Sequence, residues 1–237
     1  EQIAQIASEN MTNKVWLKLA KRINELLASD DVDGIVVTHG TDTIEETAYF
    51  LNLVVKSEKP VVIVGAMRPP TAMSADGPMN LYNAVVIAGT KEARNKGVLV
   101  CLNDAINGAR EVTKTNTSLL DTFRAPELGY LGYMQGGKAY FYRESTRKHT
   151  TQSEFDITGL TDLPRVDIVH AGVGDGSLFT EVKQGLIDAR KQGVLIVRSS
   201  RVGNGILARN GEANDDELDF VASDTLNPQK ARILLML

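Results

Sequence analysis

The sequence predicts an α/β protein: a mostly parallel, doubly wound sheet followed by a second, smaller α/β domain. Three observations carry this reading. Between Gly34 and Leu102, short apolar runs alternate with helical stretches in a βαβαβ order, which builds a parallel sheet. The runs 61–65 (VVIVG) and 97–102 (GVLVCL) are continuously apolar, as strands covered on both faces are. A second strand–helix–strand pattern starts at Pro164, after a stretch of weak periodicity and many turn residues. The expected organisation is a larger N-terminal domain over 1–143, a linker over 144–163 and a smaller C-terminal domain over 164–237.

In chain order, residues 1–7 read as a short strand and Ser8-Glu9-Asn10 as a polar turn. Thr12 or Asn13 caps a helix whose apolar positions Val15, Trp16, Leu19, Ile23, Leu26 and Leu27 recur at helical spacing. A buried strand over 34–39 then turns at Gly40 into a helix, with Thr43 and Glu46 spaced as a capping box. The strand at 61–65 leads through a loop rich in Pro, Ser and Asp to a helix over 78–88, with Pro78 in its first turn. After the strand at 97–102 comes a polar, Thr-rich segment, 109–123. Residues 130–134 and 138–142 flank Gln135-Gly136-Gly137 as a β-hairpin. In the second domain a strand at 165–170 leads through a glycine-rich turn to a helix over 177–191 and a strand over 194–198. Asn227 and Pro228 then open a last helix as N-cap and first residue.

The chain's 237 residues allow a sizeable core, and its net charge of −4 with no long Lys/Arg run argues against nucleic acid as a partner. No apolar run approaches membrane-spanning length, and a single cysteine, Cys101, excludes an intramolecular disulfide. Cys101 lies in an apolar run and reads as core. His39, His149 and His170 lack metal-ligand spacing, so each is expected to be packed or hydrogen-bonded. Gly172-x-Gly174-x-Gly176 departs from the G-x-G-x-x-G dinucleotide spacing and reads as a tight strand-to-helix turn.

The turn Gly40-Thr41-Asp42-Thr43 sits where a strand's carboxyl end meets a helix N-terminus, the place where open α/β sheets bind ligands. Backbone N–H groups and the helix dipole attract a carboxylate there. Lys114 sits just past another expected strand end. A Thr hydroxyl becomes a useful nucleophile only when a base takes its proton or a cation stabilises its alkoxide, and a lysine held by an aspartate can supply that help. On the residues alone, Asp42 and Lys114 read first as a surface ion pair and second as parts of a catalytic set with Thr41.

At these residues the chain resembles the bacterial type II L-asparaginases and glutaminase-asparaginases. The matching stretches include Ala7-Ser8-Glu9-Asn10-Met11, Val37-Thr38-His39-Gly40-Thr41-Asp42-Thr43, Gly65-Ala66-Met67-Arg68-Pro69, Ser74-Ala75-Asp76-Gly77, Val112-Thr113-Lys114-Thr115-Asn116 and Leu226-Asn227-Pro228. The resemblance implies hydrolysis of L-asparagine, and of L-glutamine as a second substrate, without a metal or organic cofactor. By position, Thr41, Asp42 and Lys114 would be the Thr–Asp–Lys part of the catalytic site. Ser8, with the Thr41-Asp42 turn, would bind the substrate α-carboxylate. Glu9 and Asp42 would bind the α-ammonium, and Ala66 would lie beside the side-chain amide. Glu212 would reach the site of a neighbouring subunit in a homotetramer built as a dimer of dimers. The implied compartment is the periplasm, with the cytoplasm as the alternative.

Two departures from the family pattern stand out. The T-G-G-T-I motif, whose Thr is the usual first nucleophile, has no counterpart in the 237 residues, and neither has the Tyr-bearing loop that follows it. A helix–strand unit expected between the strand at 165–168 and the turn at 171–176 is also missing, Asp175 stands where many relatives have Asn, and the usual last helix is absent. The expectation is a fragment or a truncated protein whose 237 residues alone are inactive. The rival readings are a non-catalytic amino-acid-binding relative and a subunit of a transfer-RNA amidotransferase.

Overall fold

The computed structural model describes residues 1–170, 172–174 and 176–237. Ala171 and Asp175, and with them the expected departure at Asp175, lie outside the described residues. The chain divides into two compact units, Glu1–Leu163 and Pro164–Leu237.

The first unit opens without the strand expected at 1–7; a 3-10 turn, Ser8–Asn10, is its first regular element. Helix α1 (Asn13–Leu27) starts where the Thr12 hydroxyl accepts a hydrogen bond from the Val15 N–H at 3.3 Å. Strand β1 (Ile35–Thr38) passes through a 3-10 turn, Thr41–Thr43, into α2 (Ile44–Val54). Then follow β2 (Val61–Val64), α3 (Gly77–Ala88) and β3 (Val98–Leu102). These three strands lie in the order β1-β2-β3 with parallel pairing, as the βαβαβ pattern predicts.

Beyond β3 the sheet departs from the mostly parallel expectation and becomes mixed. Strand β4 (Ala105–Gly108) returns antiparallel to β3 after only two residues, Asn103 and Asp104, both in the left-handed region at φ 50° and 61°. That is the geometry of a two-residue hairpin, which Asn and Asp tolerate. The short strands β5 (Thr113–Lys114) and β6 (Phe123–Arg124) form a separate antiparallel pair. Strands β7 (Gly132–Gln135) and β8 (Lys138–Phe141) complete the six-stranded sheet, β1-β2-β3-β4-β7-β8, turning at Gly136-Gly137 as the sequence predicts.

Val62, Val64, Leu99 and Cys101 form a core with Ala84 and Ile87 of α3, while Val61, Ile63, Val98 and Val100 are equally buried, so both faces of the sheet are covered at β2 and β3. Helix α2 is buried along nearly its whole length, and Phe50 stacks on Trp16 of α1 with ring centroids 5.8 Å apart. Residues 144–163 pack onto this unit, with His149, Thr150 and Ile157 buried and the Lys56 ammonium donating to the Ser153 carbonyl at 2.6 Å.

The second unit is a smaller α/β assembly. Residues 165–170 do not form the expected strand: no neighbour pairs with them among the described residues, and Ile168 and Val169 are exposed. Strand β9 (Gly172–Val173) instead pairs antiparallel with β10 (Ser177–Leu178). The glycine-rich segment is therefore a hairpin rather than a strand-to-helix turn, with Gly174 and Gly176 at positive φ. Helix α4 (Thr180–Lys191), strand β11 (Val197–Arg198), the short helix α5 (Asp215–Leu218) and strand β12 (Val221–Ala222) follow, with β11 and β12 parallel. Helix α6 (Pro228–Met236) is capped as predicted, the Asn227 side chain accepting from the Lys230 N–H at 2.9 Å.

Candidate active site

The site is built at the carboxyl end of β1. The turn Thr41–Thr43 places its residues at the N-terminus of α2, where backbone donors are free of intrahelical partners. Thr43 stands at the N-cap, but its side chain does not close the expected capping box. Its hydroxyl donates instead to the Ser8 carbonyl at 2.8 Å. The Asp42 N–H donates back to the Ser8 hydroxyl at 3.3 Å. Ser8 is buried by this clasp, and a Cβ at Gly40 would come within 2.6 Å of its Oγ, so glycine is required where the two segments touch.

Lys114 arrives from β5. Its ammonium donates to Thr41 Oγ1 at 3.0 Å and to Asp42 Oδ1 at 2.7 Å, joining residues more than seventy positions apart. The Lys114 side chain is 20% exposed and that of Asp42 60%, so the ion pair is open to solvent on the aspartate side. A cation beside a Thr hydroxyl favours its alkoxide, and the aspartate fixes where that cation sits.

The segment carrying Ala66 lies alongside. A Cβ on Gly65 would stand 3.2 Å from Thr41 Cγ2, which places the Gly65-Ala66 peptide against the Thr41 side chain. Asp76 shapes this loop by accepting from the backbone N–H groups of Met67 and Arg68, each at 2.9 Å. Asn80 adds a bond to the Gly65 carbonyl at 3.1 Å and one to Asp76 at 3.0 Å, and accepts from the Asn103 N–H at 3.0 Å. These supporting groups were not singled out by sequence reasoning. The i, i+4 spacing of Asp76 and Asn80 across a helix start was the available signal.

Behind the turn, the Trp16 indole N–H donates to the Thr47 hydroxyl at 2.8 Å, and that hydroxyl contacts His39 Nε2 at 2.9 Å. A hydroxyl that accepts from Trp16 has its own proton for His39 Nε2, which leaves Nδ1 to donate to the Gly40 carbonyl at 2.7 Å. Burial pushes the His39 imidazole below its usual range, with the Gly40 bond acting against that. His149 is buried and contacts the Thr150 hydroxyl at 3.0 Å, whereas His170 is exposed, against expectation. Cys101 is fully buried, and its thiol is pushed up to about 12 by that burial. No group of three His, Cys, Asp or Glu side chains is placed to hold a metal among the described residues.

Thus the structure brings Ser8, Thr41, Asp42 and Lys114 together, with Ala66 adjacent. Glu9 is exposed on the same turn as Ser8. Glu212 belongs to the second unit, where its exposed carboxylate accepts from the Ser177 hydroxyl at 3.1 Å.

Comparison with known proteins decides the family. Residues 1–147 match the family described as Asparaginase, N-terminal, and residues 167–237 match the Glutaminase/Asparaginase C-terminal domain. The chain belongs to the asparaginase family. It is 55% identical to L-asparaginase 2 of Bacillus subtilis, over all of this chain and 68% of that protein. It is 50% identical to the glutaminase-asparaginase of Pseudomonas fluorescens biotype A, over all of this chain and 72% of that protein. A Haemophilus influenzae protein named as a probable periplasmic L-asparaginase is 48% identical, over all of this chain and 74% of its own length. Each of these aligned spans runs to 260 positions against 237 residues here, so at least 23 positions of each span have no counterpart in this family member.

Proposed function

We propose that the protein hydrolyses the side-chain amide of L-asparagine, and of L-glutamine, to the corresponding acid and ammonia through a threonyl acyl-enzyme. The observation that carries this reading is the Lys114 ammonium bridging Thr41 Oγ1 and Asp42 Oδ1 at a helix N-terminus, in a member of the asparaginase family.

In this reading the substrate carboxylate sits against Ser8 and the backbone donors of the Thr41-Asp42 turn. The α-ammonium faces Asp42 and Glu9, joined by Glu212 of a neighbouring subunit in a homotetramer. Ala66 lies beside the amide. A threonine hydroxyl attacks the amide carbon, and backbone N–H groups stabilise the resulting oxyanion. Lys114 stabilises the alkoxide on Thr41, and the displaced proton leaves on ammonia. Water then attacks the ester, releasing the acid and restoring the hydroxyl. These steps draw only on side chains, backbone donors and water. The periplasm is the proposed compartment, supported by the name of the Haemophilus relative.

By the family resemblance the first attacking hydroxyl comes from a T-G-G-T-I strand, and the 237 residues contain no such motif. Residues 1–237 alone are therefore expected to bind amino acid weakly and to release no appreciable ammonia. The test measures ammonia release from asparagine and glutamine by this polypeptide and by the same polypeptide preceded by a family-type T-G-G-T-I segment. Turnover only in the extended protein supports the reading. No turnover in either defeats the proposed activity, and robust turnover by residues 1–237 would make Thr41 the sole nucleophile.

A further inference from the structure

We infer that Glu45 is a positioning residue for Lys114, an inference that rests on the reading of the Thr41–Asp42–Lys114 site given above. Glu45 is the second residue of α2 and is 8% exposed. Its Oε2 accepts a hydrogen bond from the backbone N–H of Lys114 at 3.1 Å, across 69 residues of sequence.

The need for that bond follows from the strand that carries Lys114. Strand β5 has two residues, and the N–H of the next residue, Thr115, donates to the Thr122 carbonyl at 2.8 Å. In an antiparallel pair successive N–H groups point to opposite sides, so the Lys114 N–H faces away from β6 and has no ladder partner there. A backbone donor turned away from water needs an acceptor, and the buried carboxylate of Glu45 supplies one with the added strength of a full charge.

One helix start therefore holds Lys114 at both ends. Thr41 and Asp42 hold its ammonium, and Glu45, three residues beyond Asp42, holds its backbone. With the backbone fixed, the lysine side chain spans a set distance to Thr41. Without it, a two-residue strand is left to place a charge to within an ångström, and a displacement of about 1 Å at such a site can cost up to about a hundredfold in rate. An acidic residue in the first turn of a helix also stabilises that helix through its dipole. That ordinary role is what the test must separate from positioning.

The experiment compares Glu45→Gln, Glu45→Asp and Glu45→Ala in the turnover-competent protein, the polypeptide preceded by the T-G-G-T-I segment, each alone and combined with Lys114→Met. Glu45→Gln keeps an acceptor oxygen at the same reach without the charge. Glu45→Asp keeps the charge but falls about one methylene short. Positioning predicts that Glu45→Gln retains kcat within about threefold. Glu45→Asp and Glu45→Ala should each lose about tenfold or more in kcat with KM little changed, and none of the three should lower activity further in the Lys114→Met background. If Glu45→Ala does not fold, Glu45→Gln and Glu45→Asp carry the same contrast. Full kcat in Glu45→Asp, or losses that multiply with that of Lys114→Met, would overturn the inference while leaving the site reading intact. Full kcat in Lys114→Met alone would instead overturn the site reading, and the positioning role with it.

Discussion

Replacing Asp215 should unfold the second unit under mild conditions. Its carboxylate accepts from Arg198 Nε at 2.9 Å, from Arg198 Nη2 at 2.7 Å and from the Asn210 N–H at 2.9 Å. Both side chains are buried, at 2% exposure for Arg198 and 0% for Asp215. Removing the carboxylate leaves the Arg198 charge buried without its counter-charge, at a cost of about 3–5 kcal/mol. A unit of this size carries on the order of 4–11 kcal/mol in total, and each 1 kcal/mol moves the midpoint of a domain of 60–100 residues by about 4–8 °C. Asp215→Ala should therefore lower the calorimetric midpoint of the second unit by on the order of 12–40 °C. It should also loosen the segment that carries Glu212, because Asp215 anchors the Asn210 backbone. The double variant Arg198→Met, Asp215→Leu should recover most of the loss, since a buried pair exchanged for apolar side chains of similar size is often neutral or better. The Arg198 hydrogen bond holds the Asp215 carboxyl below the usual carboxylate range. Its stabilisation is therefore complete above the unfolded value of about 3.9 and disappears as pH falls through the lower folded value. Removing the carboxylate should flatten the acid limb of stability below about pH 4. A midpoint within about 5 °C of the parent, with an unchanged acid limb, would refute the reasoning.

Two further outcomes are expected. Glu9→Gln should change the glutamine-to-asparagine ratio of kcat/KM by more than about threefold, because the extra methylene of glutamine shifts its ammonium relative to the reacting amide, and a contact of about 1 kcal/mol suffices for that change; an unchanged ratio would remove Glu9 from the site. The Cys101 thiol, pushed up to about 12 by burial, should resist a thiol-specific disulfide reagent at pH 8 in the native protein and react promptly in denaturant. Prompt reaction in the native state would place Cys101 at the surface.

What the sequence made legible was local. The helix start at Thr12 or Asn13, the Gly136-Gly137 hairpin and the Asn227-Pro228 helix start each follow from two to four neighbouring residues; the last two form as predicted, and of the first pair Thr12 is the cap. Where a distant partner competes, local rules lose. Thr43 has the sequence context of a capping box, yet its hydroxyl is taken by Ser8, 35 residues away. The stretch 165–170 has strand composition but no pairing neighbour among the described residues, and β propensity without a partner builds no strand. The β3–β4 hairpin was missed although Asn103-Asp104 is a hairpin turn by residue type, because a continuously apolar run reads as parallel on both sides. In the site, Thr41 and Asp42 were marked by their place at a strand end. Their meeting with Lys114 rests on β5 returning to α2 from another part of the chain, which no local pattern encodes. The role of Glu45 was hidden because its spacing matches an ordinary acidic first turn.

The most direct test of the account is the effect of Lys114→Met on kcat in the turnover-competent protein, read as ammonia release at saturating asparagine and paired with calorimetric binding of L-aspartate. Methionine keeps most of the length of the side chain, ending one atom short of Nζ, and removes the charge that contacts Thr41 and Asp42. The account predicts a loss of about two orders of magnitude or more in kcat. Product affinity should change little, because the carboxylate and ammonium contacts are assigned to Ser8, Asp42 and Glu9. Near-normal kcat in this variant would reduce Lys114 to a surface cation and contradict the proposed site.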